Sequence, residues 1–168
     1  TPITHAQAPA APSYAAGFKN HMFLSGDSTS KNKLFFSAPL AEGDFAPGNG
    51  AGVIQVGFDI VAIKPFRDTL YIFGKTEIKR LQGTSSADFA LEAVTHELGC
   101  IAPDSVVEIG GDLIFLSQDG FRPVSGTNRI GDVELETISK DIQSLFPDII
   151  RDSNLAALTA VVVRQKSQ

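Results

Sequence analysis

Apolar and polar positions alternate along most of the chain with the period of two that is typical of β-strands. The clearest example is residues 68–89, where an apolar run is followed by a turn at 74–76 and a return strand at 78–82. This pattern predicts a β-hairpin. Similar units occur at 22–45 and 112–133. We therefore expect a mainly β chain built of antiparallel hairpins.

Each of the three units ends at an aspartate followed by an apolar residue, and these dipeptides lie 44 residues apart: Asp44-Phe45, Asp88-Phe89 and Asp132-Val133. A β-propeller blade needs roughly 40–50 residues for about four strands. The spacing predicts a β-propeller-like array, and the alternative is three unrelated hairpins. About three and a half blades are visible, whereas closed propellers need at least about four. We expect a fragment of a longer chain, or strands supplied by other subunits.

The remaining elements follow from local signals. Residues 1–17 are rich in Ala and Pro, which predicts an extended or flexible arm. A single β-rich domain is expected over 18–168, with regular structure from near His21. Loops 26–32 and 39–52 are expected to project towards neighbours. Further strands are predicted by apolar content and turn residues, at 53–56, 59–66, 89–95, 105–109, 112–116, 121–125 and 158–164.

After Glu134 the spacing of the apolar residues changes from that of a strand to that of a helix. The apolar residues that recur at helical spacing are Ile138, Ile142, Leu145, Phe146 and Ile149, and they predict one amphipathic helix over 134–146. Its apolar face should pack on the chain's own sheet or on a partner. Pro147 is expected to end the helix.

Composition excludes several classes of protein. The 168 residues are 43% hydrophobic, which is typical of a folded domain, and no apolar run approaches the roughly 20 residues that span a bilayer. The net charge of −5 without a dense basic cluster argues against a nucleic-acid partner bound through its phosphates. One cysteine excludes an internal disulfide framework.

The motifs that could carry chemistry are weak. His96 and Cys100 are four residues apart, which on a helix would suit a zinc site, but a second ligand pair is lacking in the sequence. Cys100 as a nucleophile would need a histidine and a carboxylate nearby, and a small buried hydrophobic residue is the alternative. We predict no catalytic, cofactor-binding or metal-binding residues and no cofactor.

Two interpretations apply to the aspartates of the three units, Asp44, Asp88 and Asp132. They are either calcium ligands or paired carboxylates, or each caps a turn through backbone N–H groups. Blade symmetry would place them too far apart to share an ion, so the turn-capping interpretation is favoured. The glycine-rich stretches at 48–52 and 110–112 lack the context of a phosphate-binding loop and predict turns.

Several short motifs resemble, in order, those of virion structural proteins of tailed bacteriophages of the marine phage and cyanophage type. In the second half they are Gly110-Gly111-Asp112, Asp119-Gly120-Phe121-Arg122, Arg129-Ile130-Gly131-Asp132 and Ser139-Lys140. Upstream they are Phe35-Phe36-Ser37-Ala38-Pro39, Asn49-Gly50-Ala51-Gly52, Phe66-Arg67-Asp68 with Leu70, and Ile101 after Gly99-Cys100. The resemblance extends from about Asn20 to the C-terminus.

This resemblance implies a virion protein without enzymatic activity whose last strand continues into further sequence. At the level of fold, the blade-like layout is similar to the propeller nozzle of short-tailed phages. We expect a non-enzymatic subunit of the tail or head–tail connector, assembled in the host cytoplasm with other virion proteins into a homo-oligomeric ring. Its acidic charge would suit the passage of DNA without sequence-specific binding, and no membrane is involved. The alternatives are a host-receptor or glycan-binding module and a propeller-type hydrolase with converging carboxylates.

Overall fold

The chain folds into three antiparallel β-sheets of three or four strands each. The structure is a computed structural model, and it describes residues 5, 7–127, 140–152 and 154–163. Each sheet is a meander, in which strands that follow one another in the sequence lie side by side. The mainly β prediction is therefore confirmed.

Sheet 1 contains the first four strands, β1 (Tyr14–Phe18), β2 (His21–Ser25), β3 (Lys33–Phe36) and β4 (Gly52–Gln55). A two-residue turn joins β1 to β2, with φ of 46° at Lys19 and 64° at Asn20. Such turns match the right-handed twist of the strands, which explains the tight hairpin. Regular structure thus begins at Tyr14 rather than near His21, because β1 uses the small residues at the end of the predicted arm.

Sheet 2 contains β5 (Ala62–Phe66), β6 (Thr69–Phe73), β7 (Ile78–Gln82) and β8 (Ala90–Thr95). The hairpin expected at 68–82 is confirmed as β6 and β7. Pro65 is accommodated in β5 because this strand is at the edge of its sheet.

Sheet 3 contains β9 (Val107–Ile109), β10 (Asp112–Ser117) and β11 (Gly120–Pro123), with β10 in the middle. The predicted Gly110-Gly111 hairpin is confirmed, with φ of 62° and 83° at the two glycines. A short helix α1 (Val124–Thr127) follows, and α2 (Phe146–Asp152) lies nearer the C-terminus. The three sheets follow one another along the chain.

Sheet 2 lies between the other two sheets. Leu70 and Ile72 on β6 pack in one cluster with Phe23 and Leu34 of sheet 1. Phe73, on the opposite face of β6, packs with sheet 3. Because side chains alternate along a strand, one strand serves both interfaces. Each fully buried side chain of this size contributes roughly 1.5–3 kcal/mol.

The C-terminal helix differs from the prediction. Residues 134–139 lie outside the described residues, Lys140–Leu145 form 3₁₀ turns, and α2 begins at Phe146. Pro147 therefore lies in the first turn of a helix instead of ending one, which its missing N–H permits. Phe146 packs on sheet 3, whereas Ile142 and Leu145 remain exposed. Ile142 and Leu145 therefore do not pack on the chain's own sheet, which was one of the two expected positions for this face. Ile138 lies outside the described residues, and contact of the face with a partner stays a prediction.

The first strands of the sheets begin at Tyr14, Ala62 and Val107, at intervals of 48 and 45 residues. These intervals are close to the predicted repeat of 44. The described strands do not close into a barrel.

Candidate functional site

The first strands of the three sheets border one cavity of about 600 Å³. Its lining residues come from four separate parts of the chain: 13–16, 62–65, 103–107 without 105, and 159–160. Only one pair of opposite charges, Lys64 and Asp104, is among them. We refer to this space as the central cavity.

Small side chains in β1 leave room for the central cavity. Tyr14, Ala16 and Phe18 point towards the core, whereas Ala15 and Gly17 point outwards and are exposed. This alternation is that of a strand covered on one face only. Ala15 and Ala16 line the central cavity, whereas Gly17 lies outside its lining.

Tyr14 and Asp104 are polar residues that both line the central cavity. Burial raises the pKa of the Tyr14 hydroxyl, and the negative charge of Asp104 raises it further. Tyr14 therefore stays protonated and neutral at physiological pH. One tyrosine, one lysine and one carboxylate in this cavity do not provide the two converging carboxylates that a hydrolase of the glycosidase type needs.

The hairpin turns that join the first and second strand of each sheet are linked in a row. Lys19, in the β1–β2 turn, donates a 2.8 Å hydrogen bond to the carboxylate of Asp68 in the β5–β6 turn. Arg67, beside Asp68, donates a 2.8 Å hydrogen bond to the carbonyl oxygen of Gly111 in the β9–β10 turn. We call these three turns the turn row.

Asp44 and Asp88 each cap a turn, as predicted. The Asp44 carboxylate accepts from the Ala46 N–H and the Asn49 side chain. The Asp88 carboxylate accepts from the N–H and hydroxyl groups of both Thr84 and Ser85. The backbone N–H of Ser85 contributes most to lowering the pKa of Asp88 to about 2. Asp132 lies outside the described residues.

Asp27 fastens the N-terminal arm to sheet 1. Its buried carboxylate accepts from the backbone N–H of Ala11 and from both the N–H and hydroxyl of Thr29. The Thr29 hydroxyl contributes most to lowering the pKa of Asp27 to about 2. Loop 26–32 also accepts hydrogen bonds from Val56 and Ile60 through its own carbonyl groups. This loop therefore folds back on the chain, in contrast to the expected projection.

Cys100 and His96 are not brought together as ligands. Cys100 is completely buried and donates to the Ala102 carbonyl, with the Ser105 hydroxyl 3.4 Å away. Burial raises the pKa of its thiol, which opposes formation of a nucleophilic thiolate. His96 is exposed and lies 3.5 Å from Glu77. Within the described ranges, no group of three His, Cys, Asp or Glu side chains could hold a metal.

Two of the motifs in the resemblance have structural roles. Asp119 and Arg122 form an ion pair across the β10–β11 turn, and this hydrogen bonding lowers the pKa of Asp119. Asp112, after the Gly110-Gly111 turn, accepts from the backbone N–H and the hydroxyl of Ser125. Residues 129–132 and 139 lie outside the described residues.

Sequence reasoning did not single out Tyr14, Lys64 or Asp104. The available signal was position, because each residue lies in or just before the first strand of a sheet. The sequence alone offered no chemical pattern around these three residues.

The chain matches no known protein family, and no curated protein is significantly similar to it. Among the described residues, none of the helices has the length and apolar character needed to cross a membrane.

Proposed function

We propose that this protein is a non-enzymatic structural subunit of a tailed-bacteriophage particle, in the tail or head–tail connector, that acts by assembling with other copies and other virion proteins. In this proposal the three sheets are consecutive blades of a β-propeller-like array. The motif order described above supports the placement in a phage particle. Lys64 and Asp104 carry opposite charges in the cavity lining, so the lining has no excess of basic side chains that would hold DNA.

One observation carries the assembly proposal. Apolar side chains near the C-terminal end of the described residues are left exposed. Val161 is 78% exposed and Val163 is 82% exposed. Apolar surface of this kind is suited to contact with another subunit.

The native mass of the purified chain tests this proposal. Light scattering on a sizing column, with electron micrographs of the eluted peak, should give a defined multimer and ring-shaped particles across the micromolar range. A monomer at every concentration would overturn the assembly proposal. Antibodies against the chain should decorate the tail or connector of phage particles that contain it.

A glycan- or receptor-binding module is the second candidate, and the central cavity favours it. A volume of about 600 Å³ is within the range of ligand pockets. Titration calorimetry with host surface polysaccharide distinguishes the two candidates. Binding by a monomer, lost in K64A and D104A, would favour the binding module. Binding that these variants leave unchanged would exclude the central cavity as the site.

A further inference from the structure

The N-terminal arm crosses the outer face of sheet 1 before it enters β1. Side chains alternate along a strand, so those between the residues that face sheet 2 point to the opposite, outer face. The apolar cluster on this outer face contains Leu24 of β2, Phe35 of β3 and Phe45 of the following loop. Ala8 of the arm packs against the cluster, and Pro9 beside it is buried. The arm thus lies on an apolar surface that β2 and β3 provide.

The arm is tied to this surface by the carboxylate of Asp27, a residue that is only 2% exposed. The Ala11 N–H donates a 3.0 Å hydrogen bond to Oδ2 of Asp27. The other oxygen, Oδ1, accepts from the N–H and the hydroxyl of Thr29, at 2.9 Å and 2.7 Å. Both carboxylate oxygens are therefore in use, one for the arm and one for the loop that contains Asp27. We call residues 7–11 the strap.

The strap ends one residue before the β1–β2 pair begins. The Ser13 N–H donates a 2.9 Å hydrogen bond to the Ser25 carbonyl. Only Pro12 lies between Ser13 and Ala11, and proline has no N–H to donate. Rotation of the backbone at Pro12 can therefore carry the strap away from Asp27 without breaking a hydrogen bond of the β1–β2 pair.

The strap buries little of its own surface. Gln7, Ala10 and Ala11 are exposed, Ala8 is partly buried, and Pro9 is the one buried residue of the strap. A segment with few buried apolar contacts opens locally, at a free energy well below that of global unfolding. The surface beneath it is held by strand pairing, in which Leu24 lies opposite Phe35. Opening of the strap is therefore expected to leave sheet 1 intact.

We propose that the strap opens as one unit about Pro12 when its hydrogen bond to Asp27 breaks, and that it then uncovers the apolar outer face of sheet 1 while the three sheets stay folded. With the strap closed, Leu24 is 5% exposed and Phe35 is 8% exposed. Opening removes Ala8 from this cluster and makes the face accessible to solvent. The inference is independent of the proposed assembly function, because every contact it uses lies within one copy.

Hydrogen exchange followed by NMR on the full chain tests this proposal. The Ala11 amide reports opening of the strap, and the amides of the β2–β3 ladder report opening of sheet 1. Ala11 should be protected by its bond to Asp27 and still exchange at least about a hundredfold faster than the ladder amides. Its exchange should depend weakly on denaturant, because opening the strap exposes little surface.

Substitution of Asp27 by asparagine weakens the attachment from the side of the sheet. Asparagine places an NH₂ group where one of the two accepting oxygens was, against the N–H of Ala11 or of Thr29. D27N should therefore raise the exchange rate of Ala11 about tenfold and leave the ladder amides unchanged. D88N is the matched control, because both oxygens of Asp88 also accept backbone N–H groups, in a turn outside the strap.

Substitution of Ala8 by aspartate weakens the attachment from the side of the strap. The closed strap would hold the new carboxylate against the apolar cluster, which is unfavourable, so A8D should raise the exchange rate of Ala11 at least about tenfold. Q7D is its control, because Gln7 is an exposed neighbour on the same segment. A8D also keeps the test valid if D27N disturbs the loop around Asp27.

The outcomes decide between a separate strap and an integral part of sheet 1. Fast exchange of Ala11 that D27N and A8D accelerate, with the ladder amides and both controls unchanged, supports the proposal. The proposal is overturned if Ala11 and the ladder amides exchange at one rate with one denaturant dependence, or if the variants accelerate both alike. It is also overturned if Ala11 exchanges as fast as an unprotected amide, or if neither variant changes its rate.

Discussion

The guanidinium of Arg67 joins two sheets by donating a 2.8 Å hydrogen bond to the Gly111 carbonyl. The residue does so from a left-handed backbone conformation, with φ of 53°. Its guanidinium also lies 5.0 Å from the centre of the Phe66 ring. With the Lys19–Asp68 bond, this contact links all three turns of the turn row.

Arg67 can be tested by a pair of substitutions. R67A should lower the free energy of unfolding by about 0.5–1 kcal/mol, because an exposed charge-assisted hydrogen bond is lost. R67G loses the same bond but relieves the left-handed strain, so it should be more stable than R67A by about 1 kcal/mol. Denaturant unfolding of the three proteins measures the difference. If R67A and R67G were equally stable, the positive φ at this residue would be in doubt.

Two buried serines should respond differently to substitution by alanine. The Ser105 hydroxyl donates to the Ala102 carbonyl and accepts from the Leu116 N–H. S105A leaves that buried N–H without its partner, which should cost about 1–3 kcal/mol. The Ser25 hydroxyl is buried without a hydrogen-bond partner among the described residues. S25A should therefore be neutral or slightly stabilising, and a larger loss than in S105A would contradict the hydrogen-bond assignment.

Gly99 is required because backbone from two segments meets there. A Cβ at this position would lie 2.2 Å from the Gly74 carbonyl oxygen and 2.4 Å from the Lys75 carbonyl carbon. Neither atom can move without disturbing the β6–β7 turn, so G99A should destabilise the protein by about 3 kcal/mol or more. G43A is the matched control, because a Cβ there has no neighbour within 4 Å. Thermal unfolding of both variants checks this prediction.

The hairpins could be predicted from the sequence because their signals are local. Gly110-Gly111 specifies a tight turn by itself, and the alternation around β6 indicates a strand. β1 was not predicted, because Ala15, Ala16 and Gly17 have little strand propensity. This segment is ordered by its partner instead, since Phe18 pairs with His21 and Ala16 packs in the core between sheets 1 and 2.

The C-terminal helix was predicted from the sequence, but with the wrong bounds. Its apolar spacing is helical, yet α2 begins at Phe146, and Pro147 lies in the first turn of this helix instead of ending one. The spacing of apolar residues shows that a helix has an apolar face, but it does not show what covers that face. In the structure Phe146 is buried and Leu145 is exposed. The central cavity could not be predicted either, because it depends on how the sheets pack, which hairpin signals do not encode.

Acid should destabilise the fold through Asp27 and Asp88. Hydrogen bonds from Thr29 to Asp27 and from Ser85 to Asp88 lower both pKa values from 3.8 to about 2. The unfolded chain therefore binds more protons than the folded one in this range, and the stabilisation present above about pH 4 is lost as pH falls towards 2. The D27N/D88N variant should be less stable at neutral pH and show a flatter dependence between pH 4 and 2. Denaturant midpoints across that range measure it, and an unchanged slope would contradict the assignment.

Leu40 is an exposed residue in a strained backbone conformation, and its substitution tests whether it contacts a neighbouring copy. This residue is 81% exposed and has φ of 58°, held by a hydrogen bond from its N–H to the Asn20 carbonyl. A left-handed conformation costs a residue with a Cβ about 1 kcal/mol, so L40G should raise the free energy of unfolding of the isolated chain by about that amount. If Leu40 contacts a neighbouring copy, L40G should also weaken the multimer, because the apolar side chain is lost. L40N separates the two effects, since asparagine tolerates the backbone conformation but is polar. Stabilisation of the chain in both variants with unchanged association would restrict the role of Leu40 to its own loop.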